Sequence, residues 1–317
     1  MIDFRYHLVS IVSIFMALAV GIVLGAGPLK GSIGDTLTQE VTQLREDRAA
    51  LRSELDVARK AGSTRDDFND AARTRLVGGT LTGATVALVL LPGADADHVT
   101  DVAETLTAAG ASVVSRTTVE DAWVPEDDEA RAQQATIASE QRRALGLPQA
   151  GESSTNPLDD VFASALLAPN SGTNSDAGKG ALDALAAAKL IDVETADLVR
   201  ASSAVLIGAP IKGDVVAERD RSATSLVTLG AALDRSGAGA VLAEDVGVSG
   251  SAGAASVVRA ARSDAETSRA LSTVDDVSLP LGQISVVYAL VQQIAGGVGQ
   301  YGLGDGVSAG YPPIPAP

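Results

Sequence analysis

From Leu8 to Gly27 the chain runs 20 residues without a charge, LVSIVSIFMALAVGIVLGAG. A helix of that length reaches roughly 30 Å, the hydrocarbon thickness of a bilayer, so the pattern predicts a transmembrane anchor within a first segment, residues 1–30. A cleaved signal peptide is the rival reading. Its apolar region would run about 7–15 residues and end at a small-residue cleavage site, whereas Pro28 follows Gly27 directly. Arg5 on one side of the span faces Lys30, Arg45 and Arg48 on the other, close to a tie. The short N-terminal tail and long remainder place the N-terminus inside and the rest of the chain across the membrane. Within the span, Ser13, Ala17, Gly21 and Gly25 recur every fourth residue and would let a second helix approach closely in lipid. Small residues are also common in any anchor of an Ala-rich chain.

Beyond the span the period changes. Leu37, Val41, Leu44, Arg48, Leu51, Leu55 and Ala58 are spaced four, three, four, three, four, three, the a/d seam of a coiled coil, with charged and polar residues between them. Such a stripe pairs with itself, with a partner's helix, or with the chain's own globular part. Arg48 at an a position costs stability in a homodimer and would select register or partner. Asp35 or Thr36 is expected to cap this helix after the Gly31–Gly34 break, and Gly62 with Ser63 to close it, inside a stalk segment 31–77.

The pattern then becomes that of an α/β domain over residues 78–300. Val86–Leu91 is a continuous apolar run ending in Pro92-Gly93, followed by a helical pattern over Asp97–Ala109 and a strand at Ala111–Ser115. Ala204–Ile207 leads into helix Ser222–Asp234, Ala240–Ala243 into Ala252–Ala261, and Leu271–Val274 into Leu281–Ala295. Five strands alternating with helices predict an open, mostly parallel sheet with helices on both faces. Residues 119–190 read as an insertion, a charged helix near Glu126–Leu145 followed by Pro-, Asn-, Ser- and Gly-rich stretches, and hence as a mobile, partly helical excursion. Residues 301–317, ending YPPIPAP, read as an extended polyproline-like tail.

Composition narrows the chemistry. A net charge of -16 is the wrong sign for neutralising nucleic-acid phosphates. The absence of Cys excludes a disulfide scaffold and thiolate sites, and with two His and two Met in 317 residues the soft ligands that copper prefers are scarce. The first strand-helix loop, Pro92 to Asp97, lacks the G-x-G-x-x-G of dinucleotide folds, and no GxxxxGK[ST] occurs. His98, on an exposed helix, cannot support a serine triad. Gly247 to Gly253 could form an anion-binding turn, opposed by Glu244 and Asp245. The pairs Asp66-Asp67, Asp127-Asp128, Asp159-Asp160 and Asp275-Asp276 lack a calcium-loop pattern and read as solvated charge. No catalytic, cofactor or metal residue emerges, which points away from an enzyme; an α/β enzyme with a polar pocket around Glu244, Asp245 and Ser249 stays as a lesser alternative.

The opening block Ile2-Asp-Phe-Arg-Tyr-His-Leu-Val-Ser-Ile, running on to Ala-Leu-Ala-Val-Gly-Ile-Val-Leu-Gly-Ala-Gly-Pro-Leu29, resembles the actinobacterial copper transporter family of MctB-like and SteB-like envelope proteins. So does the closing block Gly282-Gln-Ile-Ser-Val-Val-Tyr-Ala-Leu-Val-Gln-Gln-Ile-Ala-Gly-Gly-Val-Gly-Gln-Tyr-Gly302. The resemblance implies two roles. One is copper efflux through an outer membrane; the other is SteB-like, in daughter-cell separation with a SteA-like partner and the peptidoglycan-hydrolase machinery. Continuous apolar strands separated by helices are not the pattern of a membrane barrel. The expectation is therefore a single-pass membrane protein with an extracytoplasmic domain, a scaffold or regulator that binds protein partners, with copper transport as the alternative.

Overall fold

The structure, a computed structural model, describes residues 4–26, 28–148, 156–194, 199–245 and 254–314. It divides into two compact units, residues 1–65 and 66–317.

The first unit holds α1 (Phe4–Ala26) and most of α2 (Pro28–Val77). α1 is the apolar span, and its side chains are exposed from Phe4 to Gly25. α2 departs from expectation at both ends, since it neither begins at Asp35 or Thr36 nor stops at Gly62-Ser63. Its three glycines, Gly31, Gly34 and Gly62, cost a helix about 1 kcal/mol each, too little to break one that is propagating on both sides. In the second unit its final turns are held by the body. The Arg73 guanidinium donates to Thr105 Oγ1 at 3.1 Å and Gln283 Oε1 at 3.2 Å, the Tyr288 hydroxyl donates to the Leu76 carbonyl, and Val77 is buried. The helix ends where Gly79 takes φ +79°, a turn that a residue with a Cβ adopts only at a cost.

The body follows in the order β1 (Thr85–Leu90), α3 (Ala96–Ala108), β2 (Ser112–Val119), α4 (Asp128–Leu145), α5 (Leu158–Leu166), β3 (Gly172–Thr173), α6 (Asp176–Ala187), β4 (Ile191–Val193), β5 (Val199–Arg200), β6 (Ser203–Gly208), α7 (Val216–Ser236), β7 (Ala240–Glu244), α8 (Val257–Ser263), α9 (Thr267–Ala270), β8 (Ser272–Val274), α10 (Pro280–Ile294) and β9 (Gln300–Tyr301). Seven strands form one sheet in the order β4-β2-β1-β6-β7-β8-β9, parallel except where β4 pairs antiparallel with β2. This is the expected α/β architecture.

Alternation along the strands divides the core. Val86 and Leu88 of β1, with Val205 and Ile207 of β6, face α3 and α10. Ala87 and Val89, with Ala204 and Leu206, face the layer of α5, α6, α7 and α8. Strands buried on both sides must be apolar at consecutive positions, which is why their sequences read as unbroken runs.

The insertion is not an excursion. Leu158, Val161, Phe162 and Leu166 of α5 and Leu182 and Leu185 of α6 are buried in the sheet-facing core, and Trp123 meets Phe162 edge-on with ring centroids 5.5 Å apart. Residues 301–309 of the expected tail fold back on themselves. Tyr301 lies in β9, and the following loop folds back so that Gly302 N–H donates to the Ala309 carbonyl at 3.2 Å. Of the expected helix Ala252–Ala261, Ala252 and Gly253 lie outside the described residues, and α8 begins at Val257, where the Ser256 hydroxyl accepts from Arg259 N–H at 3.0 Å.

Candidate functional site

The surfaces singled out from the sequence fall on the first unit. Ser13, Ala17, Gly21 and Gly25 are exposed along α1, and a Cβ added at Gly21 or Gly25 would meet nothing within 4 Å. The Ser13 hydroxyl donates to the Val9 carbonyl at 2.8 Å, satisfying itself within the helix. On α2, Leu37 (60%), Leu44 (69%), Leu51 (65%) and Leu55 (48%) are exposed, as are Val41, Arg48 and Ala58. Complete heptads thus present an apolar stripe that the single chain leaves uncovered. At about 25 cal/mol per Å² a stripe of this length stabilises a pairing by several kcal/mol once buried.

The carboxylates behave differently from expectation. Asp159, Asp275 and Asp276 are buried, not solvated. Asp275 pairs with the Arg262 guanidinium, both side chains almost wholly enclosed, and accepts from Leu303 N–H at 2.7 Å and Gly304 N–H at 2.9 Å. Arg262 also donates to the Tyr301 carbonyl at 2.7 Å. This network fastens the C-terminal loop, and it explains Gly302, where φ is +129° and a Cβ would lie 1.8 Å from Asp275 Oδ1. Asp276, beside Asp275, has neither carboxylate oxygen hydrogen-bonded; burial first, then the charge of Asp275, pushes its pKa up to about 7. Asp159 is likewise pushed up to about 7 by burial, against the pull of the Thr228 hydroxyl at 2.7 Å.

Glu244, at the end of β7, is buried, with Oε1 unpartnered and Oε2 bonded within the fold. Glu244 Oε2 accepts from the Ser256 hydroxyl at 2.6 Å and from Val258 N–H at 3.0 Å, so the carboxylate anchors the start of α8. Burial raises its pKa against those bonds. Ser249 and the turn Gly247 to Gly253 lie outside the described residues. Among the described residues no group of three or more His, Asp or Glu is arranged to hold a metal ion. The apolar run Leu271 to Val274 followed at once by two Asp is the signal for the burial of Asp275 and Asp276, which follow the end of a strand paired on both sides.

One helix long and apolar enough to cross a membrane stands ahead of a mostly parallel α/β sheet, which makes this an α/β protein with an N-terminal apolar helix. The family model described as "Copper transport outer membrane protein, MctB" matches residues 1–312, and the chain belongs to that family. It is 30% identical over 320 residues to proteins named copper transporter MctB from Mycobacterium tuberculosis and Mycobacterium bovis, covering 96% of this chain and 98% of each of theirs. A protein of the same name from Mycobacterium leprae is 29% identical over 327 residues, covering 98% of both chains.

Proposed function

We propose that this protein serves copper export across the cell envelope as a membrane-anchored member of an assembly, with its α/β body on the extracytoplasmic side and with copper as cargo. The observation that carries this reading is whole-length similarity to mycobacterial proteins named copper transporters. Two features support a role beside the conduit in place of forming it. The central strands are covered by helices on both faces, so they offer no wall to lipid. The whole sequence carries two His, two Met and no Cys, few soft donors for a metal path. The reading assigns the body to binding and not to catalysis.

A second reading is favoured by the exposed seam of α2. A stalk pairing with a second copy or with a partner's helix fits a SteB-like scaffold in cell separation that influences peptidoglycan hydrolysis. Cells lacking the gene separate the two. The copper reading expects higher cell copper in the deletion strain, and copper-impermeable vesicles when the purified chain is reconstituted alone. Unchanged copper together with joined daughter cells would replace it by the scaffold reading.

A further inference from the structure

We propose that the crevice at the carboxyl edge of the sheet, between the ends of β1 and β6, binds a small molecule carrying an oxyanion. The site owes nothing to the copper reading. It follows from topology first. β1 leads through α3 to β2 on one side, while β6 leads through α7 to β7 on the other, so the winding reverses between β1 and β6. Connections that leave in opposite directions open a gap beyond the strand ends, which is where open α/β sheets receive ligands. A cleft of about 600 Å³ opens at this place, within the range of roughly 300–1,000 Å³ typical of small-molecule sites.

Lys212, from the segment after β6, and Arg219 and Arg221, from the first turns of α7, line the cleft. Arg219 is half-buried, and its Nε is shut off from water without a hydrogen-bond partner. Among the described residues none of these three cations forms an ion pair, although Asp121, Glu126 and Glu218 line the same cleft. Elsewhere in the body the buried Arg142 and Arg262 are each matched to an aspartate, and half-buried Arg200 shares with Arg219 an Nε that has no hydrogen-bond partner. Leaving a guanidinium donor desolvated and unmatched is costly, and an oxyanion relieves it with short charge-assisted bonds. α7 also starts without a side-chain cap, which leaves its first N–H groups to the same anion. Asp121 and Glu126 keep the cleft from being uniformly positive. That suits a small ligand with one anionic group and disfavours a polyanion.

The test uses the full chain in detergent micelles at constant ionic strength, titrated calorimetrically with inorganic phosphate and separately with acetate. Saturable binding of either probe with a millimolar or tighter dissociation constant is expected; phosphate alone marks a tetrahedral anion, acetate alone a carboxylate. Arg219→Gln should weaken it roughly tenfold or more, and Lys212→Gln, in an exposed loop, several-fold. Arg143→Gln, on the exposed side of α4, should leave it unchanged. If Arg219→Gln loses its cooperative melting transition, Lys212→Gln carries the test alone. The proposal fails if neither probe binds above matched chloride, if Arg143→Gln weakens binding as much as the cleft variants, or if no cleft variant weakens it.

Discussion

Leucine is treated in opposite ways in the two units of this protein. In the body Leu88, Leu166, Leu185 and Leu206 are sealed between helices and sheet, while along α2 Leu37, Leu44, Leu51 and Leu55 stand in the open at heptad spacing. Burial inside one chain is complete in the first case and absent in the second. The contrast teaches that the body carries its own stability, whereas the stalk's apolar residues contribute only when something else covers them.

The largest expected effects break the body. Phe162→Ala removes a ring packed on Trp123 and should cost about 3–5 kcal/mol, read as a fall in the melting midpoint of the purified chain. Arg262→Met strands the Asp275 carboxylate without its cation and should cost on the order of 3–5 kcal/mol while loosening the C-terminal loop, measurable as faster amide exchange at Leu303 and Gly304.

Next in size is a pH effect with a definite sign. Asp159 and Asp276 have folded pKa values near 7 against an ordinary 3.8, so between those values the folded state binds more protons than the unfolded chain. Their contribution is fully present below about pH 4 and is lost as pH rises through about 7. Asp276→Asn should therefore flatten that decline and raise stability at pH 8 by on the order of 2–4 kcal/mol, with little change at pH 4. A stability curve with the wild-type slope would mean the carboxylate is ionised in the fold.

The smallest effects on the body, and the sharpest on the contrast, come from the stalk. Leu44→Asp with Leu51→Asp should leave the body's melting within about 0.5 kcal/mol of wild type, yet abolish self-association or partner capture by the full chain. Gly21→Leu, on the small-residue face of α1, should weaken helix pairing in bilayers several-fold without touching either melting or the stalk.

Much of this fold is legible in the residues. The runs at Val86–Leu91, Ala204–Ile207 and Ala240–Ala243 are long, apolar and bounded by turn residues, as strands enclosed on both faces must be. The two-residue strand β9 and the short antiparallel edge β4 are too brief to carry a period. α5 was hidden differently: its core-facing Leu158, Val161, Phe162 and Leu166 follow a Pro- and Ser-rich stretch whose composition reads as loop, so tertiary burial overrode local signals. The glycines of α2 do not stop it, since propagation on both sides outweighs their cost and the left-handed turn that ends it comes at Gly79. The seam of α2 was plain in its spacing. The cations at the β1–β6 crevice were not, because Lys212 and Arg219 come together with Asp121 only through the winding order of the sheet.

The copper reading proposed above, joined to pairing through the exposed seam of α2, is tested most directly by the copper content of cells. Cells lacking this gene are complemented either with the wild-type chain or with the chain carrying Leu44→Asp and Leu51→Asp, at matched membrane levels, and their total copper is measured under copper load. The wild type should return copper to the parental level and the seam-broken chain should leave it elevated. Full restoration by the seam-broken chain would contradict the account.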